Sequence, residues 1–523
     1  MNKRLSILAG AALLVLSVTA AVSPAVASGA SGSRRSDFEI GYHFWKTHGY
    51  LPVDGVASFY RQKAAADRWA ASLHHTPAPR RGATGPAPTI GASWQGMNGA
   101  TPPDGNGAIG PNSYIEDENL YVGIYDRSGN LITMASFFIL TGHGDESDPT
   151  FLWDPAGQRF YYNILNVGNA TMDWGFSKDS NPTSIPDSFC NYETSFGYPS
   201  GSIPDYPKLG QTKQFLMIGI NYYPSFTSQH ATQSDLLWIS KPAGHNPITT
   251  CPSSTSFKSG KFADLRMQDG SQAFTPVPAI QTDTSKFGFV TTMSDIECPD
   301  ICGNGNQLTE YALRPSTADP TVPVLSPPHS ITVPTFTSPP DAPQKGTSSL
   351  VDTLDGRLMH SVSGRDPTFR KTTVWVNHTV AGGAGAETRW YEIDPLPLSS
   401  PSILQSGAAT DPSLYVYDGG VSNDRTVTPT GSAHGDAMVM GFSVSDSNTY
   451  PTVEMVSKIG TGPQSVFVLV HASPTFTTSS RWGDYSGATP DPGASLTAAR
   501  GEVWLTDEFT SPNNTTWNWE ARP

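Results

Sequence analysis

One paired unit recurs along most of the chain: an apolar strand entered by Asp or Pro, a turn, then a second aromatic or β-branched strand. Copies read as Asp148-Pro-Thr-Phe-Leu-Trp153 with Arg159-Phe-Tyr-Tyr162, Asp205-Tyr-Pro-Lys-Leu209 with Gln214-Phe-Leu-Met217, and Val277-Pro-Ala-Ile280 with Phe287-Gly-Phe-Val290. Further copies are Ser349-Leu-Val-Asp352 with Arg357-Leu-Met-His360 and Gly483-Asp-Tyr-Ser-Gly487 with Glu502-Val-Trp-Leu505, and a weaker one spans Gly431 to Phe442. A spacing of roughly 50 to 80 residues holds about four strands, which is the signature of propeller blades. Six copies predict an all-β, six-bladed β-propeller, with five or seven blades also compatible. The rival is a pair of β-sandwich domains. Against it, only the Pro-rich Ser326 to Pro343 interrupts the composition between Ile90 and Thr506, and that stretch reads as an inter-blade loop. Ring closure is expected from the strand near Tyr114 to Ile124, completing the sheet that Glu502 to Phe509 finishes.

Composition agrees with this reading. The 49 Gly and 45 Pro, with Asp, Glu, Lys and Arg at only 15%, exclude a protein built on long helices. One helix is predicted, Ala57 to Leu73, where Phe59, Lys63, Ala66, Trp69 and Leu73 fall at helical spacing. A Pro-, Arg- and Ala-rich linker follows from Thr76 to Pro88, so the segment before it reads as a pro-region or as a helix packed outside the main domain. The expected organisation is a signal peptide over 1–27, an N-terminal extension over 28–89, the propeller over 90–510 and a C-terminal tail over 511–523.

The signal peptide is read from Lys3 and Arg4, the apolar run Leu5 to Val22, and Ala25 and Ala27 before the cut. It implies export, an extracellular location and an oxidising surrounding. Cys190, Cys251, Cys298 and Cys302 are then expected as disulfides, Cys298 with Cys302 and Cys190 with Cys251, because neither His ligands nor a CxxC spacing supports metal or redox chemistry. A formal charge of −14 disfavours nucleic acid and anionic membranes as partners. A monomer acting on a polymer or small ligand is expected.

Pro102-Pro-Asp-Gly-Asn-Gly-Ala-Ile-Gly-Pro-Asn112, Asp148-Pro-Thr-Phe-Leu-Trp-Asp154, Pro204-Asp-Tyr-Pro-Lys208, Asp352-Thr-Leu-Asp-Gly-Arg-Leu-Met359, Arg389-Trp-Tyr-Glu392 and Arg481-Trp-Gly-Asp-Tyr-Ser486 occur in this order. On these motifs the chain, from about Ala92 to Phe509, resembles a family of largely uncharacterised secreted bacterial proteins predicted to be β-propellers. The resemblance implies the fold. It carries no catalytic residue.

No Gly-x-Ser-x-Gly, HExxH, GxxxxGK or sialidase-type Asp box occurs, so serine hydrolase, zincin, kinase and classical sialidase readings lack local support. The positive signals are aspartates at the entrances of the repeats: Asp104, Asp148, Asp205, Asp352, Asp355, Asp436 and Asp484. Repeated once per blade, such acids would ring a central funnel, where they can bind a cation or supply the acid and base of glycoside cleavage; equally, each can accept backbone N–H bonds in a turn. Asp104, Asp148, Asp205, Asp436 and Asp484 are the catalytic candidates. Asp104 and Asn106 lie two apart in a Gly-rich loop, a weak pattern for calcium that fails the twelve-residue loop rule. Arg481, Trp482 and Tyr485 around Asp484 combine charge, a stacking face and hydrogen-bonding groups, as sugar sites do, or form a buried ion pair that locks the last blade. His143 and His434, each in His-Gly-Asp, are ligand candidates if two blades bring them together. Trp153, Trp174, Trp238, Trp375, Trp390 and Trp482 are expected mainly between blades. Two functions follow: binding of an extracellular ligand, a carbohydrate polymer foremost, or cleavage of a glycan by paired Asp.

Overall fold

The computed structural model describes residues 56–73, 84–98, 102–226, 228, 231–294, 305–479, 481–511 and 514–523. The expected signal peptide and the Cys298–Cys302 pair lie outside them. Among the described residues seven sheets of four or five strands follow one another along the chain, and a two-stranded one, Thr426–Thr428 with Gly431–Ala433, is inserted in the sixth. Their first strands are Asn106–Ile109, Glu146–Asp154, Ile203–Gln211, Ala273–Pro278, Leu358–Asp366, Tyr415–Asn423 and Gly487–Pro490, in blades 1 to 7. Each first strand touches the next and the last touches the first, which makes the arrangement a seven-bladed propeller.

The count of six is thereby corrected, and the missing copy is blade 1. Tyr114 to Ile124 belongs to two middle strands of that blade, Ser113–Glu118 and Tyr121–Asp126, rather than closing the ring. Blade 1 escapes the repeat pattern because its first strand is only four residues, Asn-Gly-Ala-Ile, with no apolar run to register. Closure is made by Thr89–Gln95, which pairs antiparallel with Asn514–Arg522 at the outer edge of blade 7, Trp94 opposite Asn518. The residues read as a C-terminal tail therefore hold a blade strand, and the ring reaches from Thr89 to Arg522. Blade 5 is also shifted: Ser349 to Asp352 lies in the connection from blade 4, where Val351 bridges Ala342, and Leu358–Asp366 is the blade's first strand.

Apolar layers fill the seven blade-to-blade interfaces, which is where these sheets bury the side chains their alternation supplies. Phe151, Trp153 and Phe160 of blade 2 meet Ile115 and Ile124 of blade 1. Trp174 sits between blades 2 and 3, Trp238 between 3 and 4, Trp375 and Trp390 between 5 and 6. Trp504 and Tyr114 stack across the 7–1 junction with centroids 5.6 Å apart. Trp482 is buried beside Tyr417 and donates its indole N–H to Ser443 Oγ at 3.0 Å. Blades approach closely enough that side chains are excluded at points: a Cβ on Gly219 of blade 3 would lie 1.9 Å from the Pro276 carbonyl oxygen of blade 4.

Among the described residues the one long helix is Val56–Ser72, as the helical spacing predicts. It packs on the propeller: Lys63 Nζ reaches Asp341 Oδ1 at 2.5 Å and Asp352 Oδ1 at 3.5 Å, both in the connection between blades 4 and 5. No described helix is long and apolar enough to cross a membrane.

Candidate functional site

At or just before the first strands, one non-Gly residue per blade adopts the left-handed conformation in six of the seven blades. These are Asp104 (φ 50°), Asp148 (57°), Tyr206 (57°), Thr275 (48°), Leu354 (59°) and Asp418 (51°). In blades 2, 3, 4 and 6 the ladder slips at that residue, so each is a β-bulge that re-aims the chain toward the axis. Pro149, Pro207 and Pro276 follow three of them, where no ladder donor is needed. Such a backbone costs about 1 kcal/mol or more per residue, most for β-branched Thr275, so its surroundings must hold it. At three of them a side chain of the preceding blade does so. Asn119 Oδ1 accepts the Asp148 N–H at 3.0 Å, Asn221 Oδ1 the Thr275 N–H at 2.8 Å and Thr379 Oγ1 the Asp418 N–H at 3.2 Å. Across the closing junction Glu508 Oε1 accepts the Gly105 N–H at 3.4 Å.

The structure brings Asp104, Asp148, Asp205 and Asp484 together at this end of the axis and buries all four. Asp104 accepts the Asn119 amide at 2.5 Å and the Asp484 N–H at 2.8 Å. Arg481 Nη2 donates to both oxygens of Asp484 at 2.6 Å, and Nη1 reaches Asp352 at 3.3 Å. Tyr485 Oη donates to Asp148 at 2.9 Å. Lys208, inside the Pro-Asp-Tyr-Pro-Lys motif, donates to the Asp484 carbonyl at 3.1 Å and lies 3.4 Å over the Tyr485 ring and 3.9 Å over the Tyr206 ring. Burial pushes the Asp104 and Asp205 carboxyls up to about 7 and the Lys208 ammonium down to about 7. The space left beside Lys208 and Tyr485 is about 20 Å³, enough for a water and not for a sugar.

The remaining candidates lie elsewhere. Asp436 sits on blade 6 opposite Arg500 at 3.6 Å. Asp355 is forked by Arg357 at 2.8 Å. Asn106 turns its amide oxygen to the Gly107 N–H at 2.6 Å, away from Asp104's partners, and no group of three or more metal-ligating side chains occurs among the described residues. His143 binds Asp173 of blade 2 at 2.9 Å, whereas His434 of blade 6 binds the Ser495 carbonyl at 3.0 Å, so the two His-Gly-Asp turns do not face each other.

The buried carboxyls set a pH dependence. Burial raises Asp104 and Asp205 to about 7, Glu310, Glu392 and Asp507 to about 8 and Glu146 to about 9. Between about pH 4 and these values the folded state holds protons that the unfolded chain has lost, so the stability they confer is full below about pH 4 and is lost as pH rises. Lys208 has the opposite sign, but only above about 7. The melting temperature is expected to be higher at pH 5 than at pH 8 by at least about 5 °C in thermal scans followed by circular dichroism, and a rise over that interval would contradict this account.

An open groove of about 1000 Å³ lies at the far end of the same blades. Its wall is the 241–258 loop of blade 3, between the strands Gln233–Ser240 and Ser259–Phe262. The Cys190–Cys251 disulfide fastens this loop to the outer strand of blade 2, the pairing expected from the sequence. Tyr192 Oη donates to the Pro252 carbonyl at 2.9 Å, Arg159 to the Asn246 carbonyl at 3.0 Å, and the Ile248 N–H to the Lys178 carbonyl at 2.8 Å. Phe257 packs edge-on against Trp174, centroids 5.2 Å apart. The opposing wall is made by the hairpin turns at Gly157 and Lys213 and by Thr321.

No protein-family model matches the chain, and no curated protein matches it by sequence. It is similar in structure to a subtype N11 neuraminidase-like protein from a flat-faced bat isolate (TM-score 0.37, 9% identity, covering 74% of this chain and 98% of that one). It is likewise similar to Drosophila Semaphorin 1b extracellular domains 1–2 (TM-score 0.38, 6% identity, 84% and 88%) and to a glycoside hydrolase (TM-score 0.28, 9% identity, 61% and 86%). Likenesses of this strength say nothing of activity, and the blade count rests on the strand pairing.

Proposed function

We propose that the protein is an extracellular carbohydrate-binding propeller whose ligand lies in the groove between blades 2, 3 and 4. The observation that carries this reading is the groove itself. Its volume of about 1000 Å³ is at the upper end for small-ligand sites and suits several residues of a polymer. Its walls offer Ser240, Thr249, Thr250 and Ser256 hydroxyls and the half-buried Phe257 ring, the mixture that hydroxyl-rich rings require. The disulfide and the loop's hydrogen bonds hold the wall in place before any ligand arrives, which lowers the cost of binding. A disulfide-stapled loop also suits an exported protein. The alternative, glycan cleavage by the axial aspartates, requires a sugar to reach Asp104, Asp148, Asp205 and Asp484, all of which are buried.

Affinity electrophoresis through a panel of plant, fungal and bacterial polysaccharides tests the reading. Retardation by at least one is expected, with a loss of roughly tenfold or more in Ala243→Trp, which fills the groove from an exposed position. Binding unchanged by Ala243→Trp, or none to any polysaccharide, would remove support for the groove. New reducing ends that vanish in Asp484→Asn would instead revive cleavage.

A further inference from the structure

The charge on the groove is reversed relative to the chain. Acids outnumber bases 46 to 32 overall, yet the lining side chains include Lys213, Lys241, Lys258 and His245 against one carboxylate, Asp154. That carboxylate is spent: Lys241 Nζ lies 2.5 Å from Asp154 Oδ2 with both side chains almost fully buried, and it also donates to the Thr212 carbonyl at 2.7 Å. At the blade 4 edge Lys258 meets Asp319 at 2.8 Å and Thr321 Oγ1 at 2.6 Å, holding a second lysine against the groove wall. Lys213, at the tip of the blade 3 hairpin, is exposed, and no ion pair engages it among the described residues. His245 is exposed on the opposite wall. An anion entering the groove thus meets an unneutralised ammonium and an exposed imidazole, and no acid of the lining remains to repel it. In an otherwise acidic protein that local sign concentrates anionic ligands here and rejects them elsewhere.

We infer that the groove selects a polyanionic glycan, one carrying carboxylates along its chain, with Lys213 as the principal charge contact. This deepens the proposed function and rests on the groove being the ligand site. Lys241, bonded to Gln211 Oε1 at 3.1 Å and to the Thr212 carbonyl, fixes the hairpin that presents Lys213, and is a positioning residue.

The test compares polygalacturonate with its fully methyl-esterified form, the same backbone with the charge removed, and with dextran sulfate and dextran, by isothermal titration calorimetry on the full chain. Polygalacturonate is expected to bind roughly tenfold more tightly than its ester and to weaken between 50 and 500 mM NaCl. Lys213→Glu is expected to cost roughly three- to tenfold in affinity, Lys213→Arg little, and Lys345→Glu, an equal charge change beside Tyr450 of blade 6, nothing. Dextran sulfate binding as well as polygalacturonate, with the same Lys213 dependence, supports the anionic class and extends it to sulfate. Equal binding of acid and ester, lost in Ala243→Trp, overturns the charge inference while the groove reading stands. No binding of any of the four polymers overturns this inference, and the wider polysaccharide panel then decides the groove reading separately.

Discussion

Deletion of residues 514–523 is expected to leave a chain without a cooperative unfolding transition. The segment is the third strand of blade 7, paired on one side with Val503–Thr510 and on the other with Thr89–Gln95, so its loss strips both neighbours of their ladders at once. It also carries Trp519, fully buried against Met455 and Leu505 at the interface of blades 6 and 7. Thr516 and Asn518 bind the buried carboxylate of Glu116 in blade 1, the Asn518 amide at 2.9 Å, so the cut exposes an orphaned acid across the closing junction. Removing the Trp519 side chain alone, as Trp519→Ala, is expected to cost about 3–5 kcal/mol. Near-UV circular dichroism and limited proteolysis read the outcome. A truncated chain that melts cooperatively within a few degrees of the intact one would show that closure contributes little.

Arg481→Met is expected to be the most damaging single charge removal. Arg481 neutralises Asp484 and Asp352 together, and Asp484 in turn contacts Asp104 through its backbone N–H. Without the guanidinium the buried Asp104 and Asp484 and the half-buried Asp352 crowd one end of the axis, and breaking such a pair from one side costs about 3–5 kcal/mol. The loss is expected to shrink at pH 5, where Asp104, pushed up to about 7, is protonated. Arg481→Lys restores the charge but cannot span Asp484 and Asp352 as Nη2 and Nη1 do, and is expected to recover part of the loss. Urea melts at pH 5 and pH 8 separate these cases; equal destabilisation of Met and Lys variants at both pH values would show that packing, and not charge, is what Arg481 supplies.

Much of the fold was legible because the first strands of blades 2 to 4 carry apolar residues beside Pro or Asp, and because Gly483-Asp-Tyr-Ser marks the entrance to the short first strand of blade 7. The same marks had a second meaning. Asp148 sits at a bulge whose left-handed backbone Asn119 of blade 1 holds, and Asp104 accepts the Asp484 N–H across the closing junction, so two acids that read as part of a catalytic ring are joints between sheets. That distinction depends on Asn119, Asn221 and Thr379, which lie in the blade before each bulge and carry no pattern of their own. Blade 1 was missed because a four-residue strand of Asn-Gly-Ala-Ile offers no alternation to count. The groove was illegible for a different reason: it lies between a loop, two hairpin turns and a neighbouring blade's edge, and no local run of residues contains it. Only Cys190 and Cys251, paired in advance, pointed to its wall.

The seam of blade 7 also sets a timetable. The Trp517 indole donates to Ser93 Oγ across 424 residues of sequence, so the earliest strand of the ring waits for the last before its edge is covered. Contacts of such separation make folding slow, and an edge strand held open meanwhile is a template for pairing with other chains. Thr89–Gln95 meets that hazard with Gly91, Ser93 and Gln95 among its seven residues, a weak strand by composition that gains its partner only when the whole polypeptide has been delivered.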